Sequence, residues 1–311
     1  MTDIFVNRDP SPSKGRIVFI GIAVAVVIGL GTWAFLNVIP KLSTDAAAAP
    51  EAASTASTDA APAPAFALNS ALPAPGSDPV SALLEEARKL KEADDYETAR
   101  EKASAALEQT ANESARAAAR DVLGDVDMGL LFSERPMPEK TDYTVQSGDS
   151  IAKLANKFGT TLELISKGND LKGSNIRIGD RLRIFSGKFS VKVDKTDNIL
   201  DLYLNDKFFK RYQVGTGQYS KTPVGTFKIT DRVAQPTWWR DDGKAIPYGD
   251  PENLLGTHWL SLDIRGYGIH GTWQPETIGK QSSAGCIRLL NEDVEQLYTV
   301  LPIGTPVTIE D

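Results

Sequence analysis

One cysteine and one histidine in the C-terminal third of the chain have the types and spacing needed for nucleophilic chemistry. Cys286, in the stretch "SSAGCIRL", is the only cysteine, and His270, in "GYGIHGTW", is one of two histidines. A thiol attacks as the thiolate, so a cysteine nucleophile needs a base such as imidazole nearby. The amides of Gly285 and Cys286 would then donate hydrogen bonds to a developing oxyanion, and Gly271 would let the chain turn away from the imidazole.

The same residues have simpler interpretations. A lone cysteine is often a small buried apolar residue, and a histidine at a strand end is often only a hydrogen-bonded polar group. The second histidine, His258, is expected to be structural. Spacing alone leaves these alternatives open.

Composition excludes several classes of protein. One cysteine permits neither an intrachain disulfide nor a cysteine-rich zinc site. We expect no metal and no other cofactor, because two histidines and one cysteine offer no convincing metal site. The net charge of −7 and the pI of about 5.1 argue against a nucleic-acid partner, which requires clustered Lys and Arg.

The region around the cysteine is predicted to be mainly β. Short, nearly alternating runs occupy Ser190–Val193, Ile199–Leu204 and Phe208–Val214, and Asn205-Asp206 forms a hairpin turn between the last two. A single helix is predicted at Asn291–Leu301. Many short strands with one helix indicate a β-sandwich or a β-barrel-like domain over residues 188–311.

The stretch "HGTWQPETIGKQSSAGCIRL" resembles the signature of the YkuD-type L,D-transpeptidases, as do "TPVGTF" and "NLLGTHWLSL" upstream. The positions that match are His270, Gly271, Ser283, Gly285, Cys286, Ile287 and Arg288. One position departs from the pattern, because Ala284 stands where the family often has His or Arg. Because His270 is intact, we expect the change at Ala284 to affect substrate contacts or fine-tuning more than catalysis.

The resemblance implies an acyl transfer on peptidoglycan stem peptides. Cys286 would be the nucleophile, His270 the base, and the amides of Gly285 and Cys286 the oxyanion donors. Arg288 would bind a substrate carboxylate or form a structural ion pair. Trp238 and Trp239 would belong to a lid over the donor site or simply pack on the sheet. The product would be a cross-link between two third-position residues.

A second resemblance covers residues 141–186. The run "YTVQSGDSIAKLANKFGTTLELISKGNDLKGSNIRIGDRLRI" predicts a β-α-α-β order and is similar to a LysM domain. Asp149 or Ser147 is expected to cap the first helix, and Gly159 to end it. LysM domains bind glycan that contains N-acetylglucosamine, and the resemblance puts that groove between Gly148, Asp149, Ser150 and Ile151 on one side and the stretch from Ile176 to Gly179 on the other.

Helical spacing of apolar residues predicts a segment similar to a tetratricopeptide unit over residues 81–132. Asp94 with Glu97, and Thr110 with Glu113, fit capping boxes for its second and third helices. The segment would bind a protein partner, or it would serve as a spacer or self-association element, because so few repeats make an unusual binding solenoid.

The N-terminal region predicts export and tethering. Residues 17–39 contain no charged side chain and follow Arg8, Lys14 and Arg16, a pattern that favours a transmembrane helix with residues 1–16 in the cytoplasm. A cleaved signal peptide is the alternative. Residues 40–80 are rich in Ala and Pro and are predicted to be a disordered linker.

Together these segments predict a membrane-anchored L,D-transpeptidase whose C-terminal domains lie outside the cytoplasm, with peptidoglycan as partner. Two alternatives remain. The same fold would also serve an L,D-carboxypeptidase or cross-link hydrolase, and the chain would also serve as a non-catalytic peptidoglycan-binding scaffold.

Overall fold

The structure is a computed structural model that describes residues 78–240 and 242–311. In this part of the chain no helix combines the length and apolar character needed to cross a bilayer. The predicted transmembrane helix at 17–39 and nearly all of the linker at 40–80 lie outside the described residues.

The described chain begins with three consecutive helices that pack against one another. They are α1 (Pro79–Glu92), α2 (Tyr96–Gln109) and α3 (Glu113–Phe132). Their mutual core consists largely of alanines, with Ala99, Ala103 and Ala106 fully buried, because small side chains let the helix axes approach closely. The predicted caps are wrong by one or two positions: Asp95 caps α2 through the Thr98 amide and Asn112 caps α3 through the Ala115 amide.

The next segment has the predicted β-α-α-β order. It comprises β1 (Lys140–Thr144), α4 (Ile151–Phe158), α5 (Leu162–Lys167) and β2 (Arg181–Phe185), with β1 and β2 antiparallel. Gly159 ends α4 with φ at 66°, as expected for a left-handed cap. The helix is capped by Ser150 rather than by Asp149 or Ser147, because the Ser150 side chain accepts from the Lys153 amide.

The remaining residues form a mainly β domain with one long helix near its end, as predicted. Its strands are β3 (Phe189–Asp194), β4 (Ile199–Leu204), β5 (Lys207–Gln213), β6 (Thr216–Gly217), β7 (Gly225–Ala234), β8 (Trp238–Trp239), β9 (Ala245–Ile246), β10 (His258–Leu262), β11 (Gly268–His270), β12 (Gln281–Ser283), β13 (Ile287–Arg288) and β14 (Pro306–Glu310). The helix is α6 (Asn291–Val300).

Eight of these strands form one curled sheet rather than a sandwich of two sheets. The order is β13-β11-β10-β7-β14-β3-β4-β5. Gly215, just beyond β5, exchanges two backbone hydrogen bonds of 2.8 Å with Arg288 in β13, so the two edge strands meet at one end of the sheet. The predicted Asn205-Asp206 turn joins β4 to β5, and both residues have positive φ (49° and 62°), the geometry of a type I′ hairpin.

The helices and the β-α-α-β segment pack against the curled sheet. Met128 and Leu131 of α3 and Leu164 of α5 belong to the same buried cluster as the sheet residues. Lys210 of β5 bonds Asp125 of α3 at 2.7 Å, and the Thr161 hydroxyl donates to the Thr299 carbonyl of α6. These apolar and polar contacts hold the three segments together around the sheet that carries the candidate site.

Candidate active site

Strand pairing and packing on a shared tryptophan bring the predicted cysteine, histidine and arginine together. Strands β11 and β13 are parallel neighbours, and His270 pairs with Arg288. Cys286 directly precedes β13 and shares a buried cluster with Trp259, the residue on whose ring His270 stacks. Fifteen residues lie between His270 and Cys286, and they return the chain to the strand beside β11, which is why two distant motifs form one site.

His270 is held as a neutral base. Its side chain is 2% exposed, and its ring stacks on Trp259 with centroids 5.6 Å apart. Nδ1 lies 2.6 Å from the Gly271 carbonyl oxygen. A carbonyl only accepts, so Nδ1 carries the proton and Nε2 is the basic nitrogen. Burial, and secondarily the charge of Arg288, lowers the pKa of His270 to about 4.

Cys286 is held as a neutral thiol. It is 4% exposed, and Sγ donates to the Gly266 carbonyl at 3.5 Å. Burial raises the pKa of the Cys286 thiol to about 12, although a backbone hydrogen bond from Gly268 and the charge of Arg288 act in the opposite direction. The resting pair is therefore thiol and imidazole, not thiolate and imidazolium, and proton transfer must accompany attack.

The turn before the cysteine is fixed by Ser283. Its Oγ accepts the Gly285 amide at 3.0 Å and donates to the Cys286 carbonyl at 2.7 Å. The expectation that the Gly285 amide faces an oxyanion therefore does not hold in this state, since that amide already has a partner. In the described chain no hydrogen bond occupies the Cys286 amide, which is free to serve as the donor.

Gly285 is required by its backbone geometry. Its φ is 139°, and a Cβ at this position would lie 2.7 Å from Cε1 of Tyr267. Both facts exclude a side chain without local rearrangement. The neighbouring Ala284 is exposed, so its side chain takes no part in the packing of this turn.

Arg288 has no acidic partner among the ion pairs of the described residues. Its Nε is buried without a hydrogen bond, and burial lowers the pKa of the guanidinium. Arg288 is half-buried, and a partly desolvated guanidinium without a carboxylate is suited to an anionic ligand. Of the two interpretations made from the sequence, the structural ion pair has no support here.

The two tryptophans lie on the small β8–β9 hairpin beside the cysteine. Trp238 packs against a cluster formed by Leu255, Trp259 and Cys286. The indole nitrogens of Trp238 and Trp239 are both buried and unpaired. Asn253, 1% exposed, anchors the base of this hairpin through the Pro236 and Ile246 carbonyls.

His258 lies away from the thiol. Its ring is 4.4 Å from that of Tyr298 in α6, and Nδ1 lies 3.0 Å from the Thr257 hydroxyl. These contacts are consistent with the structural role expected for His258.

The β-α-α-β segment brings its two predicted groove loops side by side. Val145, before the first loop, accepts the Gly179 amide at 2.9 Å. Gly148 has φ at 86°. The Asp149 carboxylate accepts the Tyr143 hydroxyl and the Gln146 amide, each at 2.8 Å, and these bonds lower the pKa of that carboxyl. Asp149 therefore shapes the loop, in addition to any contact with sugar.

Two residues around the site were not singled out from the sequence. Asn291 was predicted only to begin a helix, but its Oδ1 accepts the Thr257 amide at 3.0 Å and packs against Gly271. Thr222, quoted only as part of "TPVGTF", donates to the Gly285 carbonyl at 2.8 Å. No local pattern shows such contacts, because the partners are 34 and 63 residues away.

Comparison with known proteins gives consistent matches over both C-terminal segments. Residues 188–309 match the L,D-transpeptidase catalytic domain (YkuD), and residues 143–185 match the LysM domain. YkuD of Bacillus licheniformis, assigned to the L,D-transpeptidases, is 33% identical over 54% of this chain and 97% of its own length. YqjB of Bacillus subtilis, assigned likewise, is 39% identical over 39% of this chain and 70% of its own length.

Among solved structures, the catalytic domain of an E. faecium L,D-transpeptidase aligns at 25% identity with a TM-score of 0.34, covering 40% of this chain and 97% of that domain.

Proposed function

Because the chain belongs to the YkuD family of L,D-transpeptidases, we propose that Cys286 and His270 perform the acyl transfer of that family on peptidoglycan stem peptides. The observation that supports these roles is the contact of both Cys286 and His270 with Trp259, together with the pairing of His270 with Arg288 across β11 and β13. By family the chain is an L,D-transpeptidase.

The reaction begins from the neutral pair. As Sγ of Cys286 attacks the carbonyl of the third stem residue, His270 Nε2 accepts the thiol proton. The oxyanion forms next to the free Cys286 amide. When the tetrahedral intermediate collapses, the bond to the terminal D-alanine breaks and His270 returns the proton to its amine. The enzyme is left as a thioester, and D-alanine is released.

The second half-reaction mirrors the first. An acceptor amine attacks the thioester carbon, loses its proton to His270, and displaces the Cys286 thiolate, which is reprotonated. A third-position side-chain amine as acceptor gives a cross-link between two third-position residues. Water as acceptor gives a carboxypeptidase instead.

Arg288 is the proposed anchor for a donor carboxylate. A guanidinium binds a carboxylate in a bidentate manner, and Arg288 lies beside the thiol with its Nε unpaired. The unpaired indole nitrogen of Trp238, which packs against the Cys286 cluster, would donate to the backbone of the donor stem.

The remaining segments place the enzyme on its substrate. The LysM segment would hold the glycan strand between the loops at 148–151 and 176–179. The apolar stretch 17–39 would anchor the chain in the cytoplasmic membrane, and the linker at 40–80 would give reach toward the cell wall. The helices α1–α3 would remain available to a protein partner on the faces not packed on the sheet.

Incubation of the purified full-length chain with tetrapeptide-stem muropeptides tests this proposal. We expect mass spectrometry to show cross-linked dimers and free D-alanine, and both to vanish in Cys286→Ala and His270→Gln. The matched control is His258→Gln, which changes the other histidine and should retain activity. Tripeptides without dimers would replace the transferase with a carboxypeptidase, and unchanged substrate would leave only the scaffold.

A further inference from the structure

The peptide bond between Gly285 and Cys286 has a carbonyl with a hydrogen-bond partner and an N–H without one. Its carbonyl accepts from the Thr222 hydroxyl at 2.8 Å. Its N–H is the free amide of the candidate nucleophile. A trans peptide is planar, with C=O and N–H pointing in opposite directions, so whatever fixes the carbonyl also fixes the direction of the amide.

We propose that Thr222 is a positioning residue that aims the Cys286 amide at the oxyanion by holding the Gly285 carbonyl. This inference rests on the proposed function, because it assumes that Cys286 forms the acyl-enzyme. Thr222 contacts neither thiol nor substrate in this scheme, and it acts through the peptide plane.

The hydroxyl of Thr222 has only one direction in which to donate. Its Oγ1 accepts the Gly217 amide at 2.8 Å, and its own proton goes to the Gly285 carbonyl. The side chain is 1% exposed, so no bulk water competes for these bonds. The two bonds fix both the rotamer and the proton, which makes the hydroxyl a directional clamp.

The main chain of Thr222 is held as well. The Lys195 ammonium, itself 4% exposed, donates to the Thr222 carbonyl at 3.1 Å. Gly217 lies so close that a Cβ there would be 2.8 Å from both the Gly285 Cα and the Thr222 amide nitrogen. The clamp is therefore packed against the turn that it holds.

A clamp is needed because Gly285 does not restrict the peptide by itself. Glycine lacks a Cβ and allows the adjoining peptide planes to rotate over a wide range. Ser283 fixes the planes on either side, through the Gly285 amide and the Cys286 carbonyl. Only Thr222 holds the carbonyl of the plane between them among the hydrogen bonds of the described chain.

The test compares two reactions of the same thiol in the full-length protein. Acylation by a tetrapeptide-stem donor develops an oxyanion, whereas alkylation by iodoacetamide does not. Thr222→Val removes the clamp with little change of shape, and Thr222→Ser retains a hydroxyl. The matched control is Thr216→Val, because Thr216 is also 1% exposed and its hydroxyl bonds Asn198 rather than the turn.

We expect Thr222→Val to slow acylation by about 10²-fold, the lower range for loss of an oxyanion donor, while alkylation stays at the wild-type rate. Thr222→Ser should recover most of the acylation, and Thr216→Val should change neither reaction. Equal loss of both reactions, or wild-type acylation by Thr222→Val, would overturn the inference.

A second variant covers the case in which Thr222→Val does not fold, and the wild-type protein tests the proposed function separately. If Thr222→Val fails to fold by circular dichroism, Lys195→Met frees the same main chain and should also slow acylation more than alkylation; equal effects overturn the inference. A wild-type protein that is alkylated by iodoacetamide but never acylated by the donor contradicts the proposed function itself, and the inference with it.

Discussion

The neutral resting state of the Cys286–His270 pair predicts an unusual pH dependence of thiol reactivity. The perturbation is a change of pH, and the observable is the rate at which iodoacetamide alkylates the single cysteine. Burial places the pKa of Cys286 at about 12 and that of His270 at about 4. Because the base is so much weaker than the thiolate, no ion pair forms before substrate arrives.

The magnitude follows from the thiolate fraction. At pH 8 a thiol of pKa about 12 is ionised to about 10⁻⁴, whereas an ordinary cysteine of pKa about 8.5 is ionised to roughly a quarter. The more basic thiolate is intrinsically more nucleophilic, which with a Brønsted slope of about 0.45 recovers roughly 40-fold. The folded protein should therefore react about 50-fold more slowly than its own unfolded chain.

The assay is intact-mass spectrometry after timed exposure to iodoacetamide between pH 6 and 9. The chain in urea provides the reference, since it carries the same single cysteine. We expect the rate of the folded protein to rise about tenfold for each pH unit over the whole range, because the thiolate fraction does so below the pKa. The rate of the unfolded chain should level off above its pKa.

A plateau in the alkylation rate of the folded protein below pH 8 would refute this reasoning. It would mean that thiolate is already present at neutral pH, paired with imidazolium, and that burial does not control the two pKa values. Alkylation of folded and unfolded chains at the same rate would refute it as well.

Four further outcomes are expected. The pKa of His270 is lowered in the folded state, so its contribution to the free energy of unfolding is complete above pH 6.5 and is lost as pH falls toward about 4. Urea unfolding measures this loss: between these two pH values, the free energy of unfolding should fall by about 3 kcal/mol less in His270→Gln than in His258→Gln. Arg288→Gln should raise KM for the donor by about tenfold and move the acid limb of the kcat/KM profile to higher pH, since Arg288 lowers the pKa of His270. Gly285→Ala should reduce the unfolding free energy by about 1–3 kcal/mol in urea titrations, because its φ is 139°. Asp149→Ala should weaken sedimentation of the protein with insoluble peptidoglycan, since two bonds that shape the loop are lost; unchanged sedimentation would exclude this loop from the glycan groove.

The strands and helices with strong local signals were predictable from the sequence. The alternating run Ile199–Leu204 is a strand with those bounds, and the Asn205-Asp206 turn follows it. The preferences of turn residues and of alternating strands depend on a few neighbouring residues, so they do not depend on the tertiary arrangement. Helix caps were less predictable, because neighbouring residues such as Asp94 and Asp95 offer equal side chains and packing selects one.

The arrangement of the sheet was not predictable in the same way. Alternation indicates that a strand has one buried face, but it does not identify the neighbouring strand. The curled eight-stranded sheet, and the meeting of Gly215 with Arg288 at its edge, depend on pairings between strands far apart in sequence.

The sequence by itself determined the chemical types at the site: a single cysteine, a histidine sixteen residues earlier, an arginine and the glycines around them, together with the family that this pattern resembles. Only the tertiary structure decided how those groups behave. Burial sets the protonation of the pair, Ser283 occupies the Gly285 amide, and Thr222 reaches the turn from 63 residues away. Desolvation and long-range hydrogen bonds depend on the packed neighbours of a residue, and those neighbours are fixed only when the chain folds.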